Sequence, residues 1–351
     1  MTSLRSELII DPSIVQENIK YLKALIPNNS NFMAVIKSDA YGHIMENLLK
    51  HIDCFVDGYG TVRIGEAIRI REKSNKKILL MTGVYSEDDL EIAIKHNLDL
   101  VIHNKEQFEL IKKNNFYKNL WFKINTGMNR LGFEEEEFLQ IYNEHLKDKK
   151  IVLMSHLAAS NNPKNKSNNE QFARFNNVFN QLSGEVSKSI ANTGCLFNYP
   201  DHSYDWVRSG IGIFGGYIGT HELKTAMTLR SPIVNIRKIK EGDSVGYDGR
   251  AKAICDMTVA TVYIGYADGL AQNIKDGTTV LVNGKKAKIF GKVSMDLTTV
   301  DISDHANCKI GDYCEIFSPE SSINNITIPN DLISYDLMIR IKSRVKKTYH
   351  N

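Results

Sequence analysis

Residues 33–43 read MAVIKSDAYGH, an apolar run followed directly by a lysine and a turn. The run from Met33 to Ile36 is typical of a short strand that is buried on both faces. Lys37 follows it at once, and Tyr41 and Gly42 lie in the turn beyond. Active-site residues of parallel barrels lie at the carboxyl ends of the strands, so this pattern places Lys37 where chemistry occurs. A lone lysine after a strand is an ordinary feature, so the rest of the chain must decide its meaning.

On both sides of this stretch, from about residue 12 to 225, short apolar runs alternate with amphipathic segments such as Pro12 to Leu25 and Asp88 to His96. Strands that alternate with helices predict a parallel sheet. Six to eight such units in about 210 residues favour a closed (β/α)8 barrel over an open sheet, which we place at residues 11–226. The predicted strands are Met33–Ile36, Gly58–Thr61, Ile78–Met81, Asp99–Ile102, Leu120–Ile124 and Ile151–Ser155.

The texture of the sequence changes after about Met227. Runs rich in β-branched residues, punctuated by glycine, predict an all-β domain over residues 227–351, which we expect the strand at residues 1–10 to join. Asn283-Gly284 predicts a two-residue hairpin turn, because a type I′ turn needs positive φ at both positions. The predicted strands are Ile233–Ile239, Met257–Ile264, Thr278–Val282, Lys288–Val293, Thr298–Ile302 and Tyr313–Phe317.

Composition excludes several classes of protein. A chain of 351 residues with 42% hydrophobic residues can bury a large core and is expected to form two packed units. The net charge of +3 comes from 44 basic and 41 acidic residues without a basic block, which predicts neither a nucleic-acid nor a membrane partner. No signal-peptide pattern or long apolar run is present, so we expect a cytoplasmic protein. The five cysteines, which form no CxxC pair, predict neither a disulfide framework nor a metal site: Cys54, Cys195, Cys255, Cys308 and Cys314.

Polar residues follow several other predicted strands. The segment VRSGIGIFGG offers Arg208 and then a glycine-rich loop late in the barrel, where backbone N–H groups commonly bind phosphate. Taken alone, that loop fits tight packing equally well. An early-strand lysine combined with a late phosphate loop is more specific, since a Schiff-base cofactor with a phosphate group requires both. The other polar residues at strand ends are Lys123, Arg130, His156, Asn192 and Thr193.

The chain resembles the alanine racemases, a family of fold-type III pyridoxal-phosphate (PLP) enzymes, over nearly its whole length. The resemblance is carried by seven motifs in this order: AVIKSDAYGH, TGMNRLGF, VRSGI, VGYDGR, IGYADG, GKVSMD and ISYDL. It implies a cytoplasmic homodimer that binds pyridoxal 5′-phosphate and interconverts L-alanine and D-alanine by a two-base mechanism, supplying D-alanine for peptidoglycan.

The resemblance assigns two acid/base groups. Lys37 corresponds to the lysine that forms the Schiff base with the cofactor and serves as one base, and Tyr247 corresponds to the second. A racemase needs a proton donor or acceptor on each face of the cofactor, so one lysine would not suffice. In the family the tyrosine comes from the other subunit, which implies active sites shared across the dimer interface. Tyr266 resembles a gate tyrosine, and Met295 a residue whose backbone N–H meets the substrate carboxylate, both from the partner.

Other residues correspond to cofactor contacts. Arg208 matches the residue that faces the pyridine nitrogen, and a guanidinium there cannot give up its proton, which weakens electron withdrawal. His156 matches its orienting partner, and Arg130 matches the arginine that contacts the phenolic oxygen and the substrate carboxylate. Lys123 matches a lysine that is often carbamylated. The remaining cofactor-binding positions are Asn192 and the phosphate contacts Tyr41, Thr193, Gly210, Ile211 and Tyr335.

Two departures from the family pattern and three alternatives stay open. Ser294 stands where the family often has cysteine, so a racemase for serine or another amino acid, or one of broad specificity, is the closest alternative. Ile44 replaces a common glycine, and we expect it only to adjust a helix start. A decarboxylase of the same plan would use an acidic residue where Arg208 stands, and Tyr247 also favours racemisation. A non-enzymatic PLP-binding protein would lack the β domain.

Overall fold

Eight parallel strands form the centre of one of two units in this chain. The structure, a computed structural model, describes residues 5–220 and 222–350. The barrel unit comprises Ile19–Ala40 and Ile44–Ile213, and the β unit comprises the other described residues. Strand β1 (Glu7–Ile10) and helix α1 (Pro12–Ala24) come first along the chain.

The barrel strands are separated by helices, as the alternating pattern predicts. The strands are β2 (Asn31–Val35), β3 (Gly58–Thr61), β4 (Lys77–Leu80), β5 (Asp99–Ile102), β6 (Leu120–Lys123), β7 (Ile151–Met154), β8 (Val186–Ser189) and β9 (Trp206–Ser209). The helices are α2 (Lys37–Tyr41), α3 (Met45–Ile52), α4 (Ile64–Arg71), α5 (Glu87–Lys95), α6 (Lys105–Lys113), α7 (Glu135–His145), α8 (Ser167–Phe179) and α9 (Thr193–Asn198).

The eight strands form one sheet in the order β8-β7-β6-β5-β4-β3-β2-β9. Side-chain and loop hydrogen bonds join its two ends. The Ser189 hydroxyl donates to the Trp206 carbonyl at 2.8 Å, and the Arg208 N–H donates to the Ala191 carbonyl at 3.0 Å. The ring is therefore nearly closed, and the predicted barrel is confirmed.

Large apolar side chains from six strands fill the inside of the barrel, so it is a packed core rather than a pore. Asp99 is buried among them, where its carboxylate accepts the indole N–H of Trp121 at 2.9 Å and pairs with Lys77 at 3.2 Å. Burial raises the pKa of Asp99, and the charge of Lys77 opposes that shift. The core residues are Met33, Leu79, Val101, Trp121, Met154 and Trp206.

The β unit is built mainly on antiparallel pairs, with β10 as its longest strand. Its later strands are β10 (Met227–Ile239), β11 (Ser244–Val245), β12 (Ala251–Lys252), β13 (Met257–Val262), β14 (Thr279–Val282), β15 (Lys285–Ile289), β16 (Thr298–Asp301), β17 (Tyr313–Phe317) and β18 (Lys346–Tyr349), with helices α10 (Asn324–Thr327) and α11 (Ser334–Ile339). One sheet has the order β13-β16-β15-β14-β17-β10-β1-β18, and β10 also pairs with β13, which closes six of these strands into a ring. The predicted all-β fold is confirmed.

Two details of the β unit bear on the sequence predictions. Asn283 and Gly284 have φ values of 50° and 74° between β14 and β15, which confirms the predicted hairpin turn. The prediction of a strand over Lys288–Val293 is wrong in its bounds: β15 starts at Lys285 because the turn has only two residues. Gly291, with φ of 97°, then takes the chain out of extended geometry. No helix in the described parts of the chain is long and apolar enough to cross a membrane.

Candidate active site

The barrel unit brings four cationic side chains together at the carboxyl ends of its strands. Lys37 follows β2, Lys123 ends β6, Arg130 lies in the loop after β6, and Arg208 lies in β9. They are close enough to act on each other's protonation: the charges of Arg208, Arg130 and Lys37 add to burial in depressing the pKa of Lys123. A cluster of like charges is costly unless an anion joins it, so this end of the barrel is suited to an anionic ligand.

The two lysines both have depressed pKa values. Burial, followed by the charges of Arg208, Arg130 and Lys37, lowers the pKa of Lys123 to about 8. Burial and the charge of Arg130 lower the pKa of Lys37, whereas the carboxylate of Glu66 raises it. Each amine is therefore neutral for a larger fraction of molecules at neutral pH than an exposed lysine, and a neutral amine is the nucleophilic form.

Arg208 is the most deeply buried of the cations. Its guanidinium donates to the Ser189 hydroxyl and, at 2.7 Å, to the Ser155 carbonyl. Its Nε is buried and has no partner among the described residues. Burial lowers the pKa of Arg208 to about 10, which still leaves it protonated at pH 7.

His156 follows β7 and is half-buried near the same cations. Burial and the charges of Arg208, Lys123, Arg130 and Lys37 hold the pKa of His156 well below its usual range, so the imidazole is neutral. Within the described chain, the hydrogen-bond partners of the Arg208 side chain are Ser189 and Ser155, and His156 is not among them.

The segment after Lys37 is a single turn of left-handed helix. Ser38, Asp39, Ala40 and Tyr41 all have φ of 53° or 54°, and the Ala40 N–H donates to the Ile36 carbonyl at 2.9 Å. Left-handed geometry is unfavourable for residues with a Cβ, and consecutive residues of this kind are rare. This backbone conformation is therefore held by its surroundings rather than by local preference.

The loop after β9 packs against two hydroxyl groups, from Thr193 at the start of α9 and Ser209 at the end of β9, which together form a tight hydroxyl-lined cradle. The hydroxyl oxygens of Thr193 and Ser209 are 2.8 Å apart, and both side chains are buried. A Cβ on Gly212 would lie 2.6 Å from Thr193 Cγ2 and 2.9 Å from Ser209 Oγ. Asn192, which directly precedes Thr193, caps α9 by accepting the Cys195 N–H at 3.2 Å.

The β unit carries the remaining predicted site residues. Tyr41 and Tyr335 lie side by side with ring centroids 6.0 Å apart, and burial raises the pKa of each phenol. Tyr247 lies in a short turn and is 67% exposed, and Met295 is 55% exposed. The Tyr266 N–H donates to the Ser294 carbonyl at 3.0 Å, which fixes the backbone beside a half-buried phenol.

The two halves of the chain match two models of one family. The alanine racemase N-terminal domain matches residues 10–218, and the alanine racemase C-terminal domain matches residues 226–349. This chain belongs to the alanine racemase family. It is 35% identical over 350 residues to an alanine racemase of Shewanella sediminis, with 96% of each chain covered. It is 33% identical over 356 residues to that of Alteromonas mediterranea, with 98% of each covered.

Solved structures of the alanine racemase family are similar over the whole chain. The biosynthetic alanine racemase of Pseudomonas aeruginosa is 28% identical with a TM-score of 0.92, covering 99% of this chain and 100% of that one. An alanine racemase of Bartonella henselae with covalently bound pyridoxal phosphate is 26% identical with a TM-score of 0.89 and the same coverage.

The predicted alanine racemase site residues divide between the two units. Five of them lie in the β unit: Tyr41, Tyr247, Tyr266, Met295 and Tyr335. The others lie in the barrel unit: Lys37, Lys123, Arg130, His156, Asn192, Thr193, Arg208, Gly210 and Ile211.

Several polar residues beside this site are absent from the sequence predictions. Ser155 and Ser189 bind Arg208, Ser209 binds Thr193, and the charge of Glu66 acts on Lys37. Ser155 directly follows β7 and Ser189 ends β8. Both therefore lie at the carboxyl ends of strands, where the active site of a barrel lies. Glu66 lies in a helix, so the rule that active-site residues lie at strand ends does not identify it.

Ile44 also departs from ordinary geometry. It is the residue before α3 and has φ of 56° and ψ of 86°, which a β-branched residue rarely adopts. Helix α3 begins at Met45, directly after this residue. Ile44, a departure from the family pattern, thus stands where the backbone is left-handed, a conformation that glycine adopts at least cost.

Proposed function

We propose that this protein is a PLP-dependent racemase that interconverts L-alanine and D-alanine. The observation that supports it is the group of four cationic side chains at the carboxyl end of the barrel, in a chain that belongs to the alanine racemase family. Both the phosphate of the cofactor and the carboxylate of an amino acid are anions, and each would offset the charge of Lys37, Lys123, Arg130 and Arg208.

The residues present fit PLP. Arg208 has a buried Nε without a partner in the described chain, and Gly212 leaves room beside two buried hydroxyls, in a loop of the kind that binds phosphate. When bound, PLP withdraws electron density from the substrate Cα and so acidifies its proton. We assign the phosphate to Tyr41, Thr193, Gly210, Ile211 and Tyr335, and the ring to Arg208 with His156 and Asn192 in support.

Lys37 has two tasks in this proposal. Its neutral amine would hold the cofactor covalently when PLP is bound, and with substrate present the same amine would take a proton from, or return one to, one face of the substrate Cα. The lowered pKa of Lys37 supports both tasks, because each begins with the neutral amine. Arg130 binds the substrate carboxylate, and its charge contributes to that lowered pKa.

Arg208 limits the reaction to proton transfer. Arg208 stays protonated at neutral pH, so it would donate a hydrogen bond to the ring nitrogen of bound PLP without passing it a proton. Arg208 would thereby limit the electron withdrawal by the cofactor, and side reactions such as transamination are expected to be slow. Ser155 and Ser189, which hold the guanidinium, keep this donor in a fixed orientation.

The second face of Cα is served by Tyr247 from a partner subunit, so the working unit is a homodimer. Tyr247 and Met295 are exposed large side chains of the β unit, as expected of residues that act outside their own chain. Tyr266 and the Met295 backbone N–H complete the partner's contribution, the first at the gate and the second at the substrate carboxylate. In the L-to-D direction Tyr247 removes the proton and Lys37 returns one, and the reverse direction exchanges these roles.

We also propose that Lys123 is carbamylated. A neutral lysine amine adds to carbon dioxide, forming an N–C bond and releasing one proton, and the product is an anion. The pKa of about 8 supplies the neutral amine, and three neighbouring cations stabilise the carbamate. The anion would hold Arg130 in place for the substrate. A cytoplasmic location and the supply of D-alanine for peptidoglycan complete the proposal.

The test is proton exchange in deuterated buffer. Purified protein with PLP is incubated with single L-amino acids, Cα deuteration is followed by NMR, and the products are resolved by chiral chromatography. Selective deuteration of alanine with formation of D-alanine is the expected result, and it should vanish in the Lys37→Ala variant. Exchange of serine or lysine instead of alanine would show that the racemase acts on that amino acid. If no amino acid exchanged its Cα proton, the proposal would be refuted.

A further inference from the structure

The left-handed turn after Lys37 is fastened to helix α4 by an acidic residue. Glu66, in the first turn of α4, accepts the Asp39 backbone N–H with Oε1 at 3.2 Å. Its other oxygen, Oε2, accepts the hydroxyl of Thr61, the last residue of β3. Both carboxylate oxygens are thus used, one on the strained turn and one on the neighbouring barrel strand.

A second residue of α4 also holds the left-handed turn, by binding the side chain of Asp39. Arg69, three residues after Glu66, donates to the Asp39 carboxylate at 3.2 Å and also pairs with Glu46. The same Asp39 oxygen accepts the N–H of Met45, the first residue of α3. Residues at i and i+3 lie on one helix face, so Glu66 and Arg69 form a single clamp on Asp39, two positions after Lys37.

The charge of Glu66 also acts on the Lys37 amine. The other charged and titratable groups near this amine are Arg130 in the loop after β6, Lys123 in β6 and His156 after β7, and these are cationic or neutral. The charge of Glu66 favours the protonated form of Lys37 and so opposes burial and Arg130. Arg69 and Asp39 pair with each other, which leaves Glu66 as the carboxylate acting on the amine.

We propose that Glu66 is a positioning residue for Lys37, which it serves by fastening the left-handed turn and by placing a negative charge beside the amine. This inference rests on the proposed function for its catalytic meaning, but its two physical parts are measurable without catalysis. The hydrogen bond from the Asp39 backbone N–H fixes the position of the backbone that carries the Lys37 side chain. The charge sets how readily the amine holds a proton when it acts as acid or base.

Two substitutions separate these parts. Glu66→Gln keeps an acceptor for the Asp39 N–H and removes the charge, whereas Glu66→Ala removes both. Glu72→Gln is the matched control, because Glu72 caps the other end of α4, is exposed, and has no part in the clamp.

The charge is tested on the full chain after cofactor removal with hydroxylamine, with folding checked by circular dichroism. The acylation rate of Lys37 by an amine-reactive ester is measured against pH by peptide mass spectrometry. In Glu66→Gln the midpoint should move to lower pH, because a charge that raises the lysine pKa is gone, and in Glu72→Gln it should stay. A midpoint that Glu66→Gln leaves unmoved would overturn the charge role.

The hydrogen bond is tested by hydrogen–deuterium exchange of the peptide covering residues 36–42, in the protein as purified. Exchange should be on the order of tenfold faster in Glu66→Ala and near the parent rate in Glu66→Gln, since a buried donor loses its acceptor only in the first. Unchanged exchange in Glu66→Ala would overturn the fastening role. If alanine prevents folding, Glu66→Asp, whose shorter side chain cannot reach both partners, takes its place with the same expectation.

Activity then links the clamp to catalysis. Glu66→Gln should lower kcat more than it raises KM for alanine and shift the acid limb of the D-to-L pH profile to lower pH, because Lys37 acts as the base in that direction. A change in KM alone would overturn the catalytic meaning. Absence of any racemisation by the parent protein would count against the proposed function, and the exchange and acylation results would still decide the clamp.

Discussion

Replacing Gly212 by alanine tests whether the hydroxyl-lined cradle after β9 holds the cofactor. A Cβ there would lie 2.6 Å from Thr193 Cγ2, 2.9 Å from Ser209 Oγ and 3.1 Å from Leu22 Cδ1. The first of these contacts is about 1 Å shorter than a relaxed carbon–carbon contact. Thr193 and Ser209 are buried and bound to each other, so neither side chain can move aside without losing that hydrogen bond. The expected cost is that of an overpacked core, about 1–3 kcal/mol.

That cost appears in one of two measurable quantities. If the cradle yields, the free energy of unfolding stays near the parent value and the dissociation constant for PLP rises about 5- to 150-fold. If the cradle resists, the cost falls on the free energy of unfolding. Urea unfolding of the cofactor-free protein and an absorbance titration with PLP separate the two cases.

Gly65→Ala is the matched control for Gly212→Ala. Apart from its chain neighbours and the backbone of its own helix, no atom of the described residues lies within 4 Å of a Cβ built at Gly65, the second residue of α4. Alanine is the better helix former, so this variant should gain about 0.5–1 kcal/mol in stability and keep its affinity for PLP. A Gly212→Ala protein that matches the parent in both unfolding and PLP affinity would refute the packing argument and the phosphate assignment that depends on it.

Three further outcomes are expected. Tyr247→Phe should lower racemisation in both directions about 10²- to 10⁴-fold, measured by chiral chromatography, while the absorbance of bound PLP persists; full activity would exclude the two-base scheme. Asp99→Asn should stabilise the protein at pH 7, because the raised pKa of Asp99 means that its ionised form is disfavoured in the folded state. Urea unfolding should show this gain shrinking as the pH falls through the raised pKa of folded Asp99 toward about 4, the pKa of the unfolded carboxyl, and absent below that pH. A gain of equal size at pH 7 and pH 3 would contradict this. Labelled bicarbonate should give a carbamate ¹³C signal that Lys123→Arg lacks, and a signal of equal size in that variant would place the carbamate elsewhere.

The folds of the barrel unit and of the β unit are predictable from the sequence, because they depend on local features: the spacing of apolar residues along strands and helices, and the residue types in turns. The runs at Gly58–Thr61 and Asp99–Ile102 are strands with the predicted bounds, and every residue in them is buried, as expected of strands covered on both faces. Asn283-Gly284 forms the expected turn for an equally local reason. The bounds of β15 are less predictable, because three of its five residues are lysines and only Ala287 and Ile289 give the apolar signal of a strand.

The candidate site is predictable only where its residues end strands. Lys37 and Arg208 follow from that rule and from the family resemblance. The clamp on Asp39 does not, because it joins residues far apart in sequence through a backbone conformation that KSDAY does not encode. Local preference for this segment is right-handed helix, and the packing of β3 and α4 overrides it. Glu66 reads in the sequence as an ordinary exposed acid in the first turn of a helix.

The left-handed turn also has a consequence for the order in which the barrel assembles. Four consecutive residues with positive φ cost about 4–8 kcal/mol relative to right-handed geometry, so an isolated segment would not hold this shape. The hydrogen bonds that help to offset this cost come from α3 and α4, which follow in the chain. We therefore expect Lys37 to reach its working position late in folding, after β3 and α4 have docked. A partly assembled barrel would then not hold the Lys37 amine in position to react with an aldehyde. Attachment of the cofactor would therefore indicate that folding is complete.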